Sequence, residues 1–536
     1  MEALRYHEAT KHRFGRFARA PGYLDWATQP DPFRRFAGAA LIDLPREALA
    51  RDVPYEGLYD GTAAGRPIDL HAIGEFLRCS MGLSAWKQYG ASRWPLRVNP
   101  SSGNLHPTEA YVVWEGRVCH YAAREHALEE RSVAPSHRRA VAPAGSSFLV
   151  GLTSIHWREA WKYGERAFRY CQHDAGHAIG ALRLSAAMLG WRLALLPRWS
   201  DDDIAAVLGT DRDGDFEGAE RENPDCIAVV TAGDPAPFLD DDPAPWVAAA
   251  RSAAWQGRAN RLSSDHVDWP VIDEAAAATR YRFDGAKVRG ATAEDLAPPV
   301  APSHHRTIAP LGSVAPQSAR RLIIGRRSAL AFDPNAAPLR REVFFSMLER
   351  LQPGAPPWDA VGWAPHVHLA LFVHRVEGVV PGIYAYLRDP AVLSELKAAM
   401  RPEFLWERIN NPHDLFLLVP IDCRRTANRL SCDQDIAADG FFSLGMIARF
   451  EGPLREQGDW MYRRLFWESG LIGQVLYLEA EAAGARATGI GCYYDDPVHD
   501  LLGLTGHDWQ SLYHCSMGMP IEDTRLTTEP GYAWEN

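Results

Sequence analysis

The chain contains itself twice. Phe168-Arg169, Gly176, Leu182, Leu184, Ala186, Gly190, Arg192, Asp201, Asp202, Leu208 and Gly209 recur 294 positions later. They return as Tyr462-Arg463, Gly470, Leu476, Leu478, Ala480, Gly484, Arg486, Asp495, Asp496, Leu502 and Gly503. An ungapped offset sustained over so many positions restricts the fold to two similar domains packed on each other. In each copy a long apolar helix ends near Gly190 or Gly484, an extended segment follows, and a further helix starts behind acidic residues. The paired aspartates stand before a helix in both copies, which predicts N-capping. Strand patterns at residues 110–114, 226–231, 368–373 and 415–420 alternate with these helices. The expected fold class is therefore α+β, with two like domains forming an intramolecular pseudo-dimer.

At 536 residues the chain is too long for a single core. The repeat divides it into an N-terminal extension (residues 1–69), a first domain (70–233), a Pro/Ala-rich linker and wrap-around segment (234–318) and a second domain (319–536). Helix is expected in the linker near Trp255 and Ala275. The prolines at 298, 299, 302, 310 and 316 mark the wrap-around portion. Eight cysteines are scattered without a Cys-x-x-Cys pair, which argues against zinc ribbons and disulfide frameworks and for a reducing compartment. Arg183 and Arg192 interrupt the best apolar run, so no membrane span is expected. The first residues lack the apolar core of a secretory signal, which predicts a cytoplasmic protein. The cluster Lys11, His12, Arg13, Arg16 and Arg19 reads as a solvated surface strip. A formal net charge of −11 disfavours nucleic acid as its partner.

Several segments occur in one half only. Pro100-Ser101-Ser102-Gly103-Asn104 leads into an aromatic strand. It reads either as a decorated turn or as a loop whose Ser101, Ser102 and Asn104 present polar groups to a heterocycle while Gly103 lets backbone approach it. The second half has Trp363-Ala364-Pro365-His366-Val367-His368 there. Conversely, Arg326-Arg327-Ser328 opens only the second half and reads as a phosphate clamp or a surface basic cluster. Gly489-Ile490-Gly491 replaces Leu195-Leu196-Pro197 of the first half; its glycines admit a planar ligand near the backbone, but no Rossmann fingerprint follows. Lys162-Tyr163 has Glu456-Gln457 as its counterpart. A Lys beside a Tyr lowers the phenol's pKa or acts as a base itself, unless both only pack. His173 and His177 have metal-ligand spacing but no evident third ligand, and no metal is expected. Gly-x-Ser-x-Gly, His-Glu-x-x-His and Walker sequences are absent, leaving hydrolase and NTPase readings without support.

These motifs resemble those of the nitroreductase superfamily, in which FMN lies between two protomers. The resemblance implies that Pro100, Ser101, Ser102 and Asn104 contact the flavin. It also implies that Arg326, Arg327 and Ser328 hold its phosphate, that Gly489, Ile490 and Gly491 pass beside its N5 edge, and that Arg525 also reaches the phosphate. Loop and clamp lie in opposite halves, so one FMN between the halves is expected, with the second site degenerate. Lys162-Tyr163 is similar to the Lys-Tyr motif of SagB-type azoline dehydrogenases, where the pair assists proton removal. The implied function is an FMN-dependent dehydrogenase taking hydride from a substrate C–H, acting on a small-molecule or peptide-derived substrate, with biosynthetic partner proteins. A nicotinamide-fed reductase of nitro or quinone compounds, or a partner protein without turnover, are the alternatives. The chain departs from stand-alone dehydrogenases in being fused, which leaves the peptide substrate open. A monomer built as an internal pseudo-dimer, or a higher oligomer of it, is expected.

Overall fold

The computed structural model describes residues 1–49, 53–61, 63–133, 146–283, 317–409 and 414–535. In the first half, β1 (Thr108–Trp114), β2 (Arg117–Ala122), β3 (Ala127–Val133), β4 (Ser147–Ser154), β5 (Arg192–Leu195) and β6 (Asn223–Thr231) form an antiparallel sheet in the order β3-β2-β1-β4-β6-β5. In the second, β7 (Val367–Val373), β8 (Gly382–Leu387), β9 (Asp414–Pro420), β10 (Phe442–Arg449), β11 (Arg486–Ile490) and β12 (Trp509–Gly518) run β9-β8-β7-β10-β12-β11. Strand for strand the order is the same. The central strands are almost wholly buried, so they read as continuous apolar runs rather than alternating ones.

Five helices matter for the site: α1 (His156–Tyr163), α2 (Ala167–Met188), α3 (Asp201–Leu208), α4 (Met461–Ala482) and α5 (Asp495–Leu502). α2 and α4 have 22 residues each and their ends differ by the sequence offset. They pack along one another, and a repeated glycine makes the contact possible in each. A Cβ on Gly176 would lie 2.2 Å from the Trp467 carbonyl oxygen, and one on Gly470 would lie 2.2 Å from that of His173. His173 and Trp467 are themselves repeat mates, so the crossing has approximate two-fold symmetry.

The repeated arginines and aspartates meet across that axis. Arg169 donates to Asp495 at 2.8 Å, and Arg463 donates to Asp201 at 2.5 Å. All four are buried, and removing one partner would strand the other charge in a dry interface. Burial works to raise Asp495, but Arg166 and Arg169 outweigh it and hold the carboxyl well below its ordinary range. These aspartates are therefore not the N-caps that their position suggested. Ser200 caps α3 in a capping box with Asp203, and α5 follows Tyr494 without a side-chain cap.

Both ends of the chain cross over. The helix Glu2–Ala9 docks on the second half through Glu2 N–H to Asp459 (2.8 Å) and His7 Nε2 to Gln510 Oε1 (3.2 Å). The following residues are not a solvated strip throughout: Lys11 is buried between Glu8 and Asp496, and His12 is buried with its N–H on Asp495. Near the C-terminus, Thr527–Pro530 pairs with the strand Leu83–Tyr89 of the first half. In the linker, Pro270–Ala278 is helical as expected. Trp255, however, lies on a two-residue strand pairing with β3, because the helix Ala244–Ser252 ends before it. The prolines at 298–316 lie outside the described residues.

Candidate functional site

The loop before β1 is braced from within. The Ser102 N–H and hydroxyl both donate to Asp174 of α2, at 3.0 Å each. Ser101 Oγ accepts the His106 N–H (2.8 Å), and Asn104 Nδ2 donates to the Pro95 carbonyl (2.9 Å). Ser101, Ser102 and Asn104 thus hold the loop's shape through these bonds while each stays partly exposed. Pro100 precedes them, buried. Gly103, Asn104 and His106 all take left-handed φ, and the internal hydrogen bonds support that strain.

What the loop presents is the face of Gly103, with α1 above it. A Cβ there would lie 2.6 Å from Tyr163 Oη and 3.1 Å from Lys162 Nζ. Sequence separates this pair from the loop by about sixty residues, yet the fold brings them together. The environment changes the chemistry, however. Burial pushes the Tyr163 phenol up, and Glu159, Tyr170 and Asp174 act in the same direction. Tyr163 is thus held as a neutral phenol, not the acidified one that an adjacent lysine suggested. Beneath it, burial and the Asp174 charge raise Glu159, while burial pushes Asp174 up to about 7 against hydrogen bonds from Ser101 and Ser102. These two carboxyls were missed in the sequence. Glu159 stands one helical turn before Lys162 and Tyr163, and Asp174 is an acid inside a fully buried helix; those were the available signals.

The second half meets this region from the opposite side. Ser328 bridges Ala487 beside the outer edge of β11, placing residues 326–328 against the glycine segment. Arg326 is buried, donating to the carbonyls of Val98 (3.1 Å) and Arg97 (3.2 Å) in the first half. Arg327 donates to Ser84, Ile324 and Arg326 carbonyls. Among the described residues, no carboxylate lies within 4.0 Å of either guanidinium. Burial and the Arg326 charge lower Arg327 to about 10. Glu481 is the nearby carboxylate and accepts the Arg327 backbone N–H (2.8 Å), which leaves both guanidinium forks without a direct anionic contact, an arrangement that fits a phosphate. Arg525, by contrast, is exposed and paired with Asp523 (2.7 Å).

At the ring end, Gly489 N–H donates to Tyr477 Oη (2.8 Å), which also contacts Ser328 Oγ (3.0 Å). A Cβ at Gly489 would fall 1.9 Å from Tyr513 Oη, and one at Gly491 2.3 Å from Tyr170 Cε1. Both glycines are thus needed for tyrosine packing, and Ile490 is a buried core residue between them. The residues present fit FMN at its phosphate end, through Arg326, Arg327 and Ser328; toward its ring end the Tyr477 hydroxyl occupies the Gly489 N–H and also contacts Ser328. His173 stacks on Tyr513 (centroids 4.2 Å apart), and His177 Nε2 lies 3.2 Å from Tyr513 Oη. Burial keeps both imidazoles neutral.

The pseudo-equivalent position is built differently. Arg464 replaces Tyr170 and Trp467 replaces His173. The Arg464 guanidinium lies 4.2 Å from the Trp460 ring, 5.0 Å from Trp363 and 5.3 Å from Tyr281. Tyr281 donates to the Pro197 carbonyl, as Tyr170 does to that of Gly491. An aromatic–arginine stack fills that side, and Glu456 and Gln457 are exposed.

Residues 65–219, which carry both the loop and Lys162-Tyr163, match the family model described as Nitroreductase family. The crystal structure of a candidate nitroreductase from Anabaena variabilis is similar over 97% of this chain and 99% of its own, with a TM-score of 0.68 and 19% identity. One from Ralstonia eutropha aligns over 40% of this chain and 97% of its own (TM-score 0.27, 16% identity). A microcin synthetase complex from E. coli aligns over 37% and 77% (TM-score 0.25, 15% identity). No curated protein matches. The fold is therefore nitroreductase-like over the chain, its two halves repeating one strand order as an intramolecular pseudo-dimer, with the family model itself matching residues 65–219. No helix among the described residues is long and apolar enough to cross a membrane.

Proposed function

We propose that this chain is an FMN-dependent oxidoreductase with one site between its halves, working as a dehydrogenase on a substrate C–H. One observation carries the reading. Lys162 and Tyr163 stand over Gly103 of the first half, Tyr163 packs on Tyr170 against Gly491 of the second, and Arg326 and Arg327 of the second reach first-half carbonyls at Ser84, Arg97 and Val98, while the symmetric position is filled by Trp363, Trp460, Tyr281 and Arg464. Arg326, Arg327 and Ser328 would hold the phosphate. The backbone of residues 101–104 and 489–491 would flank the ring, with the Tyr477 hydroxyl giving up Gly489 N–H and Ser328. When bound, FMN supplies a two-electron acceptor. The chain's own residues handle the proton. Tyr163, kept protonated by burial, donates a hydrogen bond to the reacting group. Lys162 Nζ stands beside it over Gly103, and Glu159 and Asp174 behind them form the route by which a proton leaves. The substrate is proposed as a small molecule or peptide-derived heterocycle of the SagB-type azoline class, presented with partner proteins.

The direction of electron flow is checked with NADPH. Holoprotein is expected to leave NADPH unconsumed above background, with or without nitrofurazone. Steady NADPH oxidation accelerated by nitrofurazone would instead assign a nitro- or quinone reductase.

A further inference from the structure

Two cysteines that sequence separates by 60 positions meet at the edge of this region. Cys432 Sγ and Cys492 Sγ are 2.9 Å apart. Cys492 follows Gly491 directly; Cys432, with left-handed φ, sits in the turn between the helices Arg424–Leu430 and Ile436–Asp439. Gln434 Nε2 donates to the Cys492 carbonyl (3.0 Å) and to that of Ser431 (2.7 Å), fixing the two segments to each other. His12, from the N-terminal segment, brings its Nδ1 within 3.8 Å of Cys492 Sγ. The other six of the eight cysteines are buried; only these two are part-exposed.

Three groups of this kind also describe a metal site, and His12, Cys432 and Cys492 place their ligand atoms within 4.8 Å of one another. Two observations decide against it. Tetrahedral zinc, with Zn–S near 2.3 Å, sets its thiolates about 3.8 Å apart, well beyond the separation found here. A buried guanidinium also stands next to the pair: Arg166 reaches the Gly491 carbonyl at 3.4 Å. It favours a thiolate and repels a divalent cation. The sulfur–sulfur contact lowers Cys492, with His12 and Arg166 acting in the same direction against burial, while Cys432 is raised.

We propose that Cys432 and Cys492 are a thiol–disulfide exchange site that takes low-molecular-weight disulfides. The Cys492 thiolate attacks one sulfur of R–S–S–R, forming a mixed disulfide and releasing R–S⁻, which takes up the proton that Cys492 gave. Cys432, losing its proton, attacks Cys492 Sγ, breaks the mixed disulfide and releases the second R–S⁻. The protein gives up two electrons and two protons, and R–S–S–R becomes two R–SH. The product bond ties the turn at Cys432 to the end of the glycine strand. This chemistry does not depend on a bound flavin.

Oxidised glutathione added to native, reduced protein tests it. The expected result is loss of two thiols together, with one intramolecular disulfide joining the Cys432 and Cys492 peptides in the mass spectrum. Cys432→Ser should stop at one glutathione on Cys492, and Cys492→Ser should react at least about tenfold more slowly. Two independent glutathione adducts without a cross-link would overturn the proposal. So would one equivalent of zinc, retained through dialysis, that shields both thiols. The wild-type measurement stands even where a variant fails to fold.

Discussion

Lys162→Ala and Tyr163→Phe are each expected to cut turnover by about 10²–10⁴-fold while leaving FMN content unchanged. Both groups lie over Gly103, and neither belongs to the segments that carry the clamp. Tyr163→Phe keeps the ring against Tyr170, 4.5 Å away between centroids, and removes only the hydroxyl. Steady-state rates, with flavin absorbance read on the same samples, separate the two effects. Full activity in both variants would remove the proton-transfer role. Loss of flavin along with activity would make the pair supports of the site instead.

Arg327→Ala is expected to weaken FMN binding by about 10- to 150-fold, the loss of one charge-assisted contact worth roughly 1.5–3 kcal/mol. The effect should be large because the guanidinium is desolvated and its direct hydrogen-bond partners are carbonyls, so a phosphate would be the first anion it contacts directly. Arg455→Ala is the control: that guanidinium is exposed and paired with Glu451 on its own helix. Fluorescence titration of FMN reads the affinity, and the melting temperature checks that the fold survives. Equal affinity in Arg327→Ala and wild type would show that the clamp is elsewhere.

The repeat was legible because the same residues that recur are those that touch across the pseudo-two-fold axis. Gly176 and Gly470 permit the helix crossing, and Arg169, Asp201, Arg463 and Asp495 pair between halves. Selection of that kind leaves a fixed spacing, so α2 and α4 could be placed from sequence. The role of the aspartates could not. A carboxylate before a helix looks like a cap, and only the opposite half reveals the arginine. The same limit applies to Lys11 and His12, which look solvated until Asp495 and Asp496 cover them. In the loop, the residue types announced polar contacts, but not the internal partners that brace it. Ser102 turned to Asp174, an acid on a helix seventy-two positions away. Tyr281, in what reads as linker, fills the second pseudo-site, and no local pattern could announce that. The asymmetry of the halves was readable as different residues at matched positions, such as Tyr170 against Arg464 and His173 against Trp467.

The account stands or falls on how many flavins one chain holds. Titrating purified apoprotein with FMN, and measuring acid-released flavin against protein after desalting, gives that number directly. One FMN per chain, bound in a single phase, is the expected result. Two per chain would contradict the filled second position, and none would contradict the site between the halves.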